Sequence, residues 1–66
     1  MAVAKVIEIN AGSSESFEDA IRSGLAKASE TVHNIKGAWV KEQSVALSGD
    51  EIAEFRVDLK VTFVLD

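Results

Sequence analysis

The final fifteen residues alternate apolar and polar side chains, and this one pattern narrows the folds open to the chain. Phe55, Val57, Leu59, Val61, Phe63 and Leu65 share one parity, while Glu54, Arg56, Asp58, Lys60 and Thr62 hold the other. A period of two puts successive side chains on opposite faces of an extended strand, here one oily and one charged. Such a strand runs to roughly 45 Å, about twice the usual length in small domains. With 66 residues in all, little chain is left to cover it. Other copies of the protein are expected to do so.

Composition closes the alternative routes to stability. A single domain over residues 1–66, standing alone, buries only about 60% of its unfolded surface. Small folds offset that deficit with disulfides, a structural metal or oligomerisation. There is no cysteine, and one histidine does not build a zinc site. Self-association remains. The lack of cysteine also fits a reducing, cytoplasmic setting. No segment has the length of a membrane span, and the start Met-Ala-Val-Ala-Lys lacks a signal peptide's apolar stretch. A formal charge of −4 argues against a nucleic-acid partner, since phosphates reward a basic face.

The rest of the chain divides into three pieces. Val3–Asn10 is rich in β-branched residues and predicts a strand closed by Ala11-Gly12-Ser13. A helix is predicted from Ser16 to Ile35. Ser16 is the N-cap and Asp19, three residues on, stands where a capping box puts its acid. Phe17, Ala20, Ile21, Gly24, Ala28, Val32 and Ile35 make an apolar stripe at helical spacing. Gly24 and Ala28 are small, so a neighbour should lie close to the middle of that stripe. Asn34 through Gly37 are expected to end the helix, with Gly37 as the C-terminal cap. A second strand follows from Ala38 to Leu47, and Ser48-Gly49-Asp50 turns the chain into the long third strand.

Direction then sets topology. Strands one and two run the same way, so a fully antiparallel sheet puts the third between them, in the order 1-3-2. The fold is α+β, a β-α-β-β chain whose three-stranded antiparallel sheet wraps one helix. A 20-residue helix spans about 30 Å and cannot cover a 45 Å strand, so apolar surface is left for a neighbour.

Motifs for chemistry are sparse. Gly12-Ser13-Ser14 before a helix lacks the spacing of a phosphate loop, and Glu15, Glu18 and Asp19 crowd that end with negative charge. His33 has no serine–acid partner in sequence and reads as a surface residue near a helix C-terminus. Lys5, Glu8, Lys41 and Glu42 read as strand-edge or intersubunit charges. No nucleophile with a positioned base and no cofactor fingerprint is present. Binding, not catalysis, is expected.

The ordered pieces Lys5-Val6-Ile7-Glu8, Gly12-Ser13-Ser14, Ser16-Phe17-Glu18-Asp19-Ala20, Asn34-Ile35-Lys36, Glu42-Gln43 and Lys60-Val61-Thr62-Phe63 closely resemble the dodecins across essentially the whole chain. The resemblance implies a hollow homododecamer of cubic symmetry, with sheets curled around helices. It also implies flavin, riboflavin or FMN, held in pairs near two-fold axes for storage or sequestration. The site departs from that pattern. Gly37 stands where the family has the tryptophan that stacks on the flavin ring, and Phe55-Arg56 replaces the Tyr-Gln pair whose glutamine meets the flavin edge. Losing an aromatic platform costs about 1–3 kcal/mol, roughly ten- to a hundredfold in affinity.

Two readings follow. In the first the shell still holds a planar ligand, with Gly37, Trp39, Gln43 and Arg56 as its contacts. Trp39 lies two residues beyond Gly37, on the same strand face and about 7 Å away. Its indole is then either a shifted platform, with Arg56 stacking on it or donating to the ligand, or an interface aromatic. The second follows from a branch similar at both altered positions and described as calcium-binding. It makes Glu42, Glu54 and Asp58 the metal ligands, pooled across a symmetry axis, or leaves a purely structural shell. Twelve copies at −4 each sum to −48, which favours counterions and neutral riboflavin-like ligands over nucleotide flavins.

Overall fold

The structure, a computed structural model, describes residues 3–65. The chain runs as β1 (Val3–Ser13), α1 (Phe17–Ala28), β2 (Ile35–Ser48) and β3 (Glu51–Leu65). β1 and β2 each pair antiparallel with β3, giving the sheet order β1-β3-β2. The expected β-α-β-β order and central third strand are both present. The two-residue connection Gly49-Asp50 closes the β2–β3 hairpin, with Gly49 at φ +63°. A positive φ at the first turn position alone is the requirement of a type II′ turn, and glycine meets it without strain.

The alternation in β3 builds the core. Val57, Leu59 and Val61 are buried and, together with Ala20 of the helix, form its centre. Ile7, Ile9 and Ala11 of β1 and Phe17, Ile21 and Leu25 of α1 pack around them. Phe17 meets Phe55 edge-on, with ring centroids 5.1 Å apart. This pins the start of the helix to β3 by an interaction worth about 0.5–1.5 kcal/mol beyond burial. Gly24 provides the predicted close approach. A Cβ there would stand 2.8 Å from the Cβ of Ala11, so the missing methyl lets α1 settle onto β1.

The helix is shorter than predicted, twelve residues instead of twenty. Val32 and Ile35 continue the helical spacing by coincidence. After Ala28 the bonds Glu30 N–H to Lys27 O and Thr31 N–H to Ala28 O tighten the last turn. Asn34 then takes φ +63°, a conformation that asparagine tolerates better than most residues. Its carbonyl accepts from the Val64 N–H at 3.1 Å, so pairing with β3 has already begun. The residue that reverses the chain is therefore Asn34. Gly37, the expected cap, lies inside β2, and Ile35 opens that strand three residues before the predicted Ala38.

The other helix end is also wired differently. Ser16 caps as expected, its hydroxyl accepting from the Asp19 N–H at 2.9 Å. Asp19 does not close a capping box. Its carboxylate accepts from the buried Ser13 hydroxyl at 2.6 Å, and Ser13 Oγ in turn accepts from the N–H of Glu15 at 2.9 Å. That network carries β1 three residues past the predicted Asn10 and leads the chain directly into α1.

A twelve-residue helix is about 18 Å long, against a molecule 51 Å in its longest dimension. α1 packs on β1 and β3, and β2 is exposed along nearly its whole length. Val40, Val45, Leu47 and Ile52 remain open to solvent, Leu47 at 63%. The uncovered apolar surface is larger than the sequence implied.

Gly24→Ala tests the close packing, because two effects oppose each other. Alanine should favour the helix by about 1 kcal/mol, while overpacking against Ala11 should cost about 1–3 kcal/mol. A net loss in urea denaturation is expected, with recovery in the Gly24→Ala/Ala11→Gly double variant.

Candidate ligand-binding site

Register decides which side chains share the face of the sheet turned away from α1. Directly paired residues point the same way, so this helix-free face follows the polar parity of β3. Thr62 stands between Val6 and Gly37, Lys60 between Glu8 and Trp39, Asp58 between Asn10 and Glu42, and Arg56 between Gly12 and Ser44. A register shift between Val40 and Glu42 makes Lys41 the extra residue of β2. The bulge keeps Trp39 and Glu42 on one face although their parities differ.

Three of the four sequence-predicted ligand contacts occupy this face. Gln43 does not, because it pairs with Val57 and follows the helix-facing parity. Gly37 and Trp39 are neighbours beside Thr62 and Lys60. A Cβ built on Gly37 would have nothing within 4 Å, and Trp39 is 66% exposed. Together they form an open shelf, with a bare stretch of backbone next to an accessible indole. Arg56 lies four residues along β3 from Lys60, about 13 Å away. Stacking of Arg56 on Trp39 would therefore have to join two subunits.

Arg56 is also engaged. Its Nε donates to Glu54 Oε1, and the Glu54 carboxylate lies over Gly12, where a Cβ would come within 2.7 Å of Oε2. A groove of about 410 Å³ floored by Gly12 gathers Arg56 with the three acids predicted as metal ligands, Glu42, Glu54 and Asp58. They share a groove without converging. Among the described residues no three carboxylates, histidines or cysteines are grouped closely enough to hold a metal ion.

The charges on this face are wired more tightly than their reading as edge residues implied. Lys41 reaches across β3 to Glu8 at 3.4 Å, an ion pair linking the two outer strands of one subunit. Glu8 also meets Asp58. A side-chain hydrogen bond with Glu8 raises the Asp58 pKa above the ordinary 3.8, and desolvation and the charge of Glu8 add to this. The Glu8 pKa is lowered, first by the bond from Asp58 and then by Lys41 and Lys60. The Lys41 pKa is raised, chiefly by Glu8. Asp58 Oδ1 is buried and has no partner among the described residues. None of this was visible along the chain, because Glu8, Lys41 and Asp58 meet only through the pairing of three strands and a bulge.

Fold and face together define a small β-α-β-β unit with a polar groove and an exposed indole on one side of its sheet and incompletely covered apolar surface on the other. Residues 3–66 match the dodecin family profile, and the chain belongs to the dodecin family. The dodecin of Streptomyces davaonensis is 37% identical, with TM-score 0.95 over 98% of this chain and 96% of its own. A variant dodecin of Thermus thermophilus is 32% identical, with TM-score 0.95 over 100% and 98%. The calcium dodecin of Mycobacterium tuberculosis, a calcium-chelating immunodominant antigen with a novel calcium-binding site, is 35% identical, with TM-score 0.84 over 97% and 91%. No curated protein matches the chain.

The carboxyl pair predicts how stability changes with pH. With its folded pKa above the unfolded value, Asp58 favours folding at low pH, and that contribution is withdrawn as pH rises through the folded pKa. Glu8 behaves oppositely. Asp58→Asn keeps the shape, supplies a donor to Glu8 and removes the repulsion. A higher melting temperature than the parent at pH 7 is expected, converging with the parent below the ordinary aspartate value of 3.8. Thermal melts across pH check both halves.

Proposed function

We propose that residues 1–66 act as one dodecin-like unit that closes with eleven copies into a hollow homododecamer and sequesters a planar aromatic ligand, a flavin of the riboflavin type. The observation that carries this reading is the pairing of a 66% exposed indole at Trp39 with an open backbone at Gly37. The backbone leaves room for a ring where relatives with a tryptophan at the Gly37 position would fill it. Trp39 supplies the replacement platform one shelf-width away. The exposed apolar residues of the β2–β3 hairpin, Val45, Leu47 and Ile52, supply the contacts for self-association. The role is binding, since no group on the face combines a nucleophile with a positioned base.

Riboflavin titrated against the purified protein should lose its emission and perturb that of Trp39, and the protein should sediment at twelve times its 7.1 kDa chain mass. Trp39→Ala should weaken binding roughly ten- to a hundredfold. Undiminished affinity in that variant rejects the platform.

A second reading, a calcium-holding shell, draws on the shared groove of Glu42, Glu54 and Asp58 and on the likeness to a calcium dodecin. One subunit offers too few converging oxygens, so the ion would lie where grooves of two or more copies meet. Calorimetry with calcium should then show Glu42→Gln losing affinity. Unchanged affinity dismisses Glu42 as a ligand.

A further inference from the structure

We propose that Lys60 sets the ligand class of the Trp39 shelf, selecting an aromatic ring that carries an anionic group; this rests on the shelf being the ligand site. Lys60 lies on the central strand directly opposite Trp39, about 5 Å from it in the pairing direction. It is half-buried and, among the described residues, has neither a hydrogen bond nor an ion pair. Its other neighbour, Glu8, feels its charge but is bonded to Lys41. Arg56, the other cation on β3, is held by Glu54. The free ammonium beside the indole therefore belongs to Lys60, with three donors unspent. A ring stacked on Trp39 puts its substituent within reach of them.

The chain's negative charge does not oppose this choice. The helix-free face carries three cations, Lys41, Arg56 and Lys60, against four carboxylates, so three of the four excess charges lie elsewhere. Exposed charges more than about 8 Å away are largely screened at physiological salt. A contact with Lys60 is not. The field expected from the whole particle governs approach, and Lys60 governs the bound state.

Riboflavin and its 5′-phosphate, FMN, share a ring and differ in charge, so titrating both against the assembled protein isolates the effect. FMN should bind about tenfold more tightly at low salt, the size of one charge-assisted contact, and added salt should erode the margin. Lys60→Gln should abolish the margin between the two flavins, and Lys60→Arg should keep it. Equal affinities in the parent, or a margin intact in Lys60→Gln, overturn the assignment. If Lys60→Gln does not assemble, a margin in the parent that is indifferent to salt overturns it instead. Failure of both flavins to bind removes the shelf reading and this one together, whereas riboflavin binding without an FMN margin removes only this one.

Discussion

The governing constraint is a mismatch of lengths. A fifteen-residue central strand offers apolar side chains along one face, and among the described residues a twelve-residue helix is the element that covers them. The helix protects Val57, Leu59 and Val61 and reaches neither end of the strand fully: Leu65 is half exposed and the hairpin beyond Phe55 stands free. Apolar area in water is unfavourable in proportion to its extent. A chain with no cysteine has no covalent means of offsetting it. Closure with further copies is the outlet that remains, and it explains why β2 is long although the helix hardly touches it.

Legibility from sequence follows from how local each signal is. Alternation in β3 is a property of neighbouring residues, so the strand, its buried parity and the central position of the strand were all readable. Gly24 was readable as a close approach, though only pairing could name Ala11 as the neighbour. The end of α1 was not readable, because Val32 and Ile35 fall on the helical stripe while belonging to a turn and a strand. The helix ends at Ala28, and by Asn34 the chain is already committed elsewhere, its carbonyl accepting from Val64 in another strand. That is a tertiary cause. Site residues divide the same way. Gly37 and Trp39 share a face by simple parity, but the bulge at Lys41 shifts everything beyond it, placing Glu42 with Trp39 and turning Gln43 to the opposite side.

The helix-free face uses its charges mainly to satisfy one another. Lys41 spans the sheet to Glu8, Glu8 and Asp58 share a hydrogen bond, and Glu54, lying over the gap left by Gly12, holds Arg56. Exposed pairs of this kind contribute little to stability, typically below about 1 kcal/mol. Their effect here is to fix which donors and acceptors stay available. Among the described residues Asp58 Oδ1 is left as an unpaired acceptor at the groove and Lys60 as an unpaired cation beside Trp39. The two lie two residues apart on one strand, on the same face, and present opposite chemistry.

For the proposed ligand platform, this arrangement gives physical content to a move from Gly37 to Trp39. A shift of two residues is the smallest that preserves the face of a strand. It carries the indole about 7 Å, from the position opposite Thr62 to the position opposite Lys60. A ring following the indole exchanges a neutral hydroxyl neighbour for an ammonium. The same shift brings the indole nearer to Arg56 along β3, from six residues to four, about 13 Å in the same subunit. Arg56 is bound to Glu54, so within one subunit its guanidinium serves the groove and not a ring on Trp39.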